Sequence, residues 1–203
     1  MSAETDKRPY RMTKRAALEE QTRLRITESA VALHEELGPA RTSISAIADH
    51  AGVRRSTVYR HFPDDEALLD ACSAHWEAAH PPPDPTPWQA IADPDARLEL
   101  ALTEIYAYFD RTEGMFTSLL RDAELVPGVD LRLGGFRGYL AAVQDVLVAG
   151  RGVRGGAARR VRAAVAHALA FPTWRSLTRD QGLSNADAVA LMTALVGGAA
   201  RAG

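Results

Sequence analysis

Between Thr13 and Leu37 the chain has neither glycine nor proline, and Ile26, Ala30, Leu33 and Leu37 recur at spacings of four, three and four residues. This run predicts one long amphipathic helix whose apolar stripe must be covered by other helices. The composition points the same way. Hydrophobic residues make up 46% of the 203 and aromatics 6%, with Ala and Leu dominating, which suits helices packed on helices better than sheets. We expect an all-α protein of two unequal units.

Gly38-Pro39 ends the first helix, and Ser43 is placed to cap a second, short one with Ile44, Ile47, Ala48 and Ala51 inward. Gly52 closes that helix. A third runs from about Arg54 to His61, stopped by Phe62-Pro63, and Asp64 is a natural cap for a fourth from Asp65 to about Ala79. Its Leu68, Leu69, Cys72 and Trp76 form a stripe. Five prolines within residues 81–87 forbid helix there, so a linker is expected over 81–92. Beyond it, helices are expected from Pro94 to about Arg111, around Met115–Leu120, from about Leu131 to Ala149, from Ala157 to Asp180, and from Asn185 to about Ala200 with Ser184 as cap. Pro172 falls inside the fourth of these and must kink it or release a carbonyl.

The net charge of −2 hides an asymmetry: residues 1–61 hold 11 Lys and Arg against 8 Asp and Glu, whereas residues 62–203 hold 13 against 18. The cations gather where two short helices meet at a glycine. Ile47-Ala48, Ala51-Gly52-Val53 and Thr57-Val58-Tyr59 make a helix-turn-helix pattern whose second helix would enter a major groove. At about 100° per residue, Arg55, Ser56, Tyr59 and Arg60 share an arc of roughly 140°, with Val58 opposite. Arg55 carries the fork that matches guanine, while hydroxyl and imidazole side chains suit phosphate oxygens.

The 47 residues RLRITESAVALHEELGPARTSISAIADHAGVRRSTVYRHFPDDEALL, from Arg23 to Leu69, resemble the DNA-binding segment of the tetracycline-repressor (TetR) family of one-component regulators. A long first helix, a Thr/Ser pair, I-A, A-G-V, T-x-Y-x-x-F and a following Leu recur in that order. The resemblance implies an N-terminal three-helix helix-turn-helix unit and a larger C-terminal helical domain for ligand binding and dimerisation. By it, Ser43 caps the helix ahead of the recognition helix, Arg55, Ser56 and Arg60 face base edges, and Thr57, Tyr59 and His61 grip phosphates. Three positions depart from the family's habit. Arg54 stands where Ser is common, His34 where an aromatic is common, and Asp65 where a Lys meets the DNA backbone. Operator affinity would then lean on Arg54, Arg60 and the arm residues Lys7, Arg8, Arg11, Lys14 and Arg15. The domains so read are 1–62 for DNA binding, 63–80 as a connecting helix, 81–92 as the linker and 93–203 for ligand and dimer.

For the ligand, the aromatic-rich second unit offers Tyr106, Phe109, Phe116, Tyr139, His167, Phe171 and Trp174, with Trp88, Met115 and Phe136 beside them. Tyr106 and His167 are its polar members. Val165, Leu169, Val189, Met192, Leu195 and Val196 could form a four-helix dimer interface, or could equally be buried within one chain. The partners expected are a double-stranded palindromic operator, an unidentified small apolar effector and a second copy, with no cofactor, metal or membrane. His75, His80, His50 and His61 lack ligand spacing and no nucleophile motif occurs, so no catalytic residue is assigned. The lone Cys72 precludes an intrachain disulfide, and no signal or membrane-spanning run is seen, so a cytoplasmic setting is expected. Two readings stay open: a ligand-released repressor, or a small-molecule-binding dimer or adaptor that has lost operator binding, for which Asp65 speaks.

Overall fold

The computed structural model describes residues 7–201, with side chains from Lys14 onward apart from Pro127; the arm side chains Lys7, Arg8 and Arg11 lie outside the described residues. Ten α-helices follow one another without a strand among the described residues: α1 (Lys7–Glu36), α2 (Ile44–His50), α3 (Arg55–His61), α4 (Asp65–Ala79), α5 (Thr86–Gln89), α6 (Pro94–Asp122), α7 (Pro127–Val148), α8 (Gly155–Ala168), α9 (Phe171–Arg175) and α10 (Asn185–Arg201). They pack as two units, one of residues 1–80 with 117–130, the other of residues 81–116 with 131–203. Residues 117–130 therefore pack with the N-terminal helices, which a reading of 93–203 as one domain does not anticipate.

In the first unit the apolar stripe of α1 (Ile26, Ala30, Leu33) meets Ile47, Ala48 and Ala51 of α2, Val58 of α3, Phe62, and Leu68 and Cys72 of α4. Local caps set the lengths. Ser43 Oγ accepts from Ala46 N at 3.1 Å, and Asp64 Oδ1 accepts from Ala67 N at 2.7 Å. After α1 the chain turns at Gly38 (φ 88°) into a 3₁₀ turn, Pro39–Arg41. The end of α6 grips this turn. Asp122, 2% exposed, accepts from Ala40 N at 3.0 Å and from Arg121 Nε and Nη2 at 2.7 and 3.1 Å, while Arg121 Nη2 also donates to Leu37 O at 2.8 Å. The Arg121 fork holds the Asp122 carboxyl below its ordinary pKa.

His34, on the buried side of α1, is driven down to a pKa of about 4 by burial, against the opposing field of Asp122. Its unfolded value is 6.5, so below pH 6.5 the unfolded chain takes up a proton that the folded chain refuses. Stability is thus intact above pH 6.5 and drains away as the pH falls to about 4, by about 3 kcal/mol in all. Urea midpoints measured from pH 7.5 to 4 should show this slope, and His34→Gln should flatten it. An unchanged slope in the variant would remove His34 as its source.

In the second unit, α6 is buried on two sides, by Leu98, Leu102, Ile105 and Phe109 as well as Tyr108 and Thr112. It is one helix through Asp122, not the two expected: the exposed Gly114 costs about 1 kcal/mol in a helix, outweighed by burial of Phe109, Thr112, Met115 and Phe116 around it. The proline-rich stretch also differs from expectation. Pro85 and Pro87 occupy the cap and first turn of α5, where a missing N–H is harmless. Nor is 81–92 a free linker, because Trp88 is fully buried and donates from Nε1 to Glu104 Oε2 at 3.0 Å.

The helix expected across 157–180 is broken rather than kinked. Pro172 has no N–H for the Ala168 carbonyl, Ala170 turns extended (ψ 128°), and Pro172 lands in the first turn of the new helix α9. The released Ala168 carbonyl accepts instead from the Tyr106 hydroxyl at 2.9 Å. A π-helical turn, Ser176–Asp180, follows α9. Helix α10, capped by Ser184 Oγ on Asp187 N at 3.1 Å, packs on α8 through Val189, Met192 and Val196 against Val161 and Val165.

Candidate nucleic-acid interface

The turn between α2 and α3 is built by a left-handed glycine. Gly52 has φ 64°, which lets Val53 N donate to Ala48 O at 2.9 Å and closes α2. Val58, 1% exposed, plugs α3 onto Ile47 and Ala48. With Val58 inward, Arg54, Arg55, Ser56, Tyr59 and Arg60 are exposed together, and Thr57 is half-buried. This short helix and its cap residue therefore show solvent three guanidinium groups and two hydroxyls.

Arg55 and Tyr59, one turn apart, hold each other. The Arg55 guanidinium lies 5.5 Å from the ring centroid, and Nη2 donates to the Tyr59 hydroxyl at 3.2 Å, a bond that raises the arginine's pKa further. This stacking extends the fork before any partner arrives. Asp65, exposed at the first position of α4, also favours the Arg55 cation through its field. Arg54 stands at the cap position of α3 without a side-chain cap bond, and its carbonyl accepts from Thr57 N at 2.8 Å. Ser43 is exposed and its oxygen is used by the Ala46 amide, which leaves its O–H to donate.

His61 differs from the exposed residues of α3. It is half-buried, its Nε2 is enclosed with no hydrogen-bond partner, and its pKa is lowered by burial and by the cations Arg60 and Arg23. What sequence reasoning missed is Arg23 of α1. Its Nη1 donates to the His61 carbonyl at 2.9 Å and its guanidinium lies 4.4 Å over the Phe62 ring, tying the end of α3 to α1. No local pattern links positions 38 residues apart.

The ligand candidates of the second unit divide. Phe109 is the hub of a ring cluster, with centroids 5.9 Å from Phe116, 6.3 Å from Phe136, 5.3 Å from Phe171 and 5.8 Å from Trp174. Tyr139 stacks on Phe136 at 5.6 Å. Tyr108, not among the candidates from sequence, joins the same rings at 5.9 Å from Phe116. The polar members are spent or elsewhere. The Tyr106 hydroxyl serves Ala168, the Tyr139 hydroxyl donates to Pro83 O at 2.8 Å, and burial raises the pKa of both. His167 is exposed on α8, its Nδ1 3.2 Å from Thr173 Oγ1, and is no part of the ring cluster. Among the described residues no three His, Cys, Asp or Glu gather to hold a metal, and no helix is long and apolar enough to cross a membrane.

Known proteins place these features. The profile of the bacterial regulatory proteins of the tetR family matches residues 26–72. None of the curated proteins compared with the chain matches it. Among solved structures, a putative TetR-family transcriptional regulator from Mesorhizobium loti is similar with a TM-score of 0.61 and 18% identity, over 89% of this chain and 96% of that one. A Clostridium perfringens putative fatty acid metabolism regulator gives 0.60 and 15%, over 85% and 96%. FadR from Bacillus subtilis, solved with stearoyl-CoA, gives 0.52 and 18%, over 88% and 97%. The helix-turn-helix lies inside the matched segment, and the all-α fold of the solved regulators runs through the rest. Residues 26–72, which hold the helix-turn-helix, thus match the tetR family of bacterial regulatory proteins, and the chain as a whole shares the all-α fold of these solved structures.

Proposed function

We propose that the protein is a homodimeric repressor that binds a palindromic operator through α3 and releases it when a small apolar effector enters the ring cluster of the second unit. The observation that carries this reading is the outward face of α3, with Arg54, Arg55, Ser56, Tyr59 and Arg60 exposed while Val58 is sealed inside. Residues 1–62 read DNA, 63–80 relay, and the helices after residue 93 sense and dimerise. Arg55, Ser56 and Arg60 meet base edges, and Ser43, Arg54, Thr57 and Tyr59 meet phosphates.

A second copy is supported by α10. Of the residues considered for a dimer interface, Val165, Leu169, Val189, Met192 and Val196 are buried within the chain itself. Leu191 and Leu195, 46% and 44% exposed, instead form an outward stripe with the exposed Ala190 and Ala194. Two recognition helices then read two half-sites about one helical turn apart. For the effector, Phe109, Phe116, Phe171 and Trp174 offer apolar contacts. The fatty acid regulators among the similar folds make a fatty acyl chain the first probe. Release requires only that the effector prefer the non-binding geometry by a few kcal/mol.

The test is fluorescence anisotropy on duplexes from the DNA flanking the protein's own gene, across a salt series. Binding of two chains per duplex with a steep salt slope is expected, weakened by an acyl probe. Asp65→Lys should strengthen binding about tenfold or more and steepen the slope by about two, one for each chain on the duplex. Salt-independent or absent binding on every flanking palindrome, in the parent and in Asp65→Lys, would favour the adaptor that has lost its operator.

A further inference from the structure

Helix α3 is seven residues long, and a single one of its side chains, Val58, is buried. One anchor near the middle of two helical turns leaves the helix free to pivot. Arg55 lies three residues before Val58 and His61 three after it, so each stands about 4.5 Å along the axis from the anchor. A drift at the His61 end returns at the Arg55 end with opposite sign and similar size. The aim of the exposed face therefore depends on what holds the two ends.

The N-terminal end is held by its own turn, through Val53 N on Ala48 O at 2.9 Å and Thr57 N on Arg54 O at 2.8 Å. The C-terminal end is held from another helix. Arg23, half-buried on α1, donates from Nη1 to His61 O at 2.9 Å, and its guanidinium lies 4.4 Å from the centroid of the Phe62 ring. That ring is 1% exposed, and Phe62 N donates back to Val58 O at 2.9 Å, so the surface under Arg23 is fixed to the anchor itself. A planar guanidinium can rest on a ring and donate in its own plane at once, and a cation is favoured at the last carbonyls of a helix. A lysine ammonium is a point charge with no plane to stack. The pair of contacts thus calls for arginine, and together they set both the height and the direction of the last turn.

We propose that Arg23 is a positioning residue for operator recognition: without touching DNA, it holds the last turn of α3 so that Arg55 and Ser56 stay within about 0.5 Å of the places that base-edge hydrogen bonds require. The proposal rests on the reading of α3 as the operator-facing helix, and its test has one arm that needs no DNA. In the full chain, amide hydrogen exchange is compared among the parent, Arg23→Lys and Arg23→Met. Exchange at residues 58–62 should quicken about tenfold in both variants while the amides of α4 keep their rates. Anisotropy then gives affinities for a specific duplex from the DNA flanking the protein's own gene and for a scrambled one. Arg23→Lys, which keeps the charge, should lose about tenfold on the specific duplex, with the scrambled affinity and the salt slope as in the parent. Arg23→Met should lose at least as much. A phosphate contact gives the opposite pattern: Arg23→Lys binds both duplexes as the parent does, and Arg23→Met weakens on both alike, with a slope shallower by about two. That pattern would overturn the proposal, as would exchange in α3 that neither variant alters, or exchange that quickens with discrimination intact. A parent that discriminates no flanking duplex counts against the operator reading alone, and the exchange rates still decide whether Arg23 holds α3.

Discussion

Gly38→Ala is expected to destabilise the protein by about 3 kcal/mol or more, the sum of a strained backbone and a displaced buried carboxylate. Gly38 sits at φ 88° and ψ 156°, a region open in practice to glycine alone. A Cβ there would also collide with Arg121 Nη2 and Asp122 Oδ2. Those atoms cannot simply step aside. Arg121 Nη2 is bonded to Leu37 O and Asp122 Oδ2 to Ala40 N, so moving them opens the turn on both sides of the glycine and leaves the enclosed Asp122 short of donors. Asp122→Asn, which keeps shape but loses the charged fork, should cost less, about 1–2 kcal/mol, because Arg121 is itself 43% exposed and can turn to water. Urea unfolding orders the two. A Gly38→Ala midpoint indistinguishable from the parent's would show that the turn is not held as described.

Arg55→Ala is expected to weaken specific duplex binding by about 1–3 kcal/mol per recognition helix, ten- to a hundredfold, without lowering thermal stability. Arg55 is exposed and bonded to Tyr59 of its own helix, so its loss leaves the core of Val58, Ile47 and Ala48 intact. Tyr59→Phe keeps the ring under the guanidinium but removes the hydroxyl that fixes it, and should give a smaller loss in the same direction. Anisotropy titrations on a specific and a scrambled duplex separate the roles: a base reader loses discrimination, whereas a phosphate contact weakens both duplexes alike. Unchanged affinity in both variants would discard this face of α3 as the reading face.

What was legible in the sequence was whatever a few neighbouring residues decide. Ser43, Gly52, Asp64 and Ser184 mark helix ends because a cap is a contact across three residues, and each stands where it was expected. The inward face of α3 followed from periodicity alone. Contacts made through space were not legible. Gly114 reads as a helix break until the burial around it is known, and Pro172 reads as a kink until Tyr106, 66 residues earlier, is seen to satisfy the carbonyl it frees. His167 stands among aromatic residues in sequence, but its position on α8 faces solvent. Tyr108 shows the converse: a helix buried on two sides has no single stripe, so Tyr106, Tyr108 and Phe109 are all enclosed although they point in different directions.

The bond from Arg23 to the His61 carbonyl has a practical corollary for building hybrid regulators. Grafting residues 43–62 onto a regulator of similar fold would carry the exposed face of α3 but not the side chain that fixes the last turn of that helix. A donor segment beginning at Arg23 keeps both ends of that tether, so the interchangeable cassette in this protein is the first three helices together.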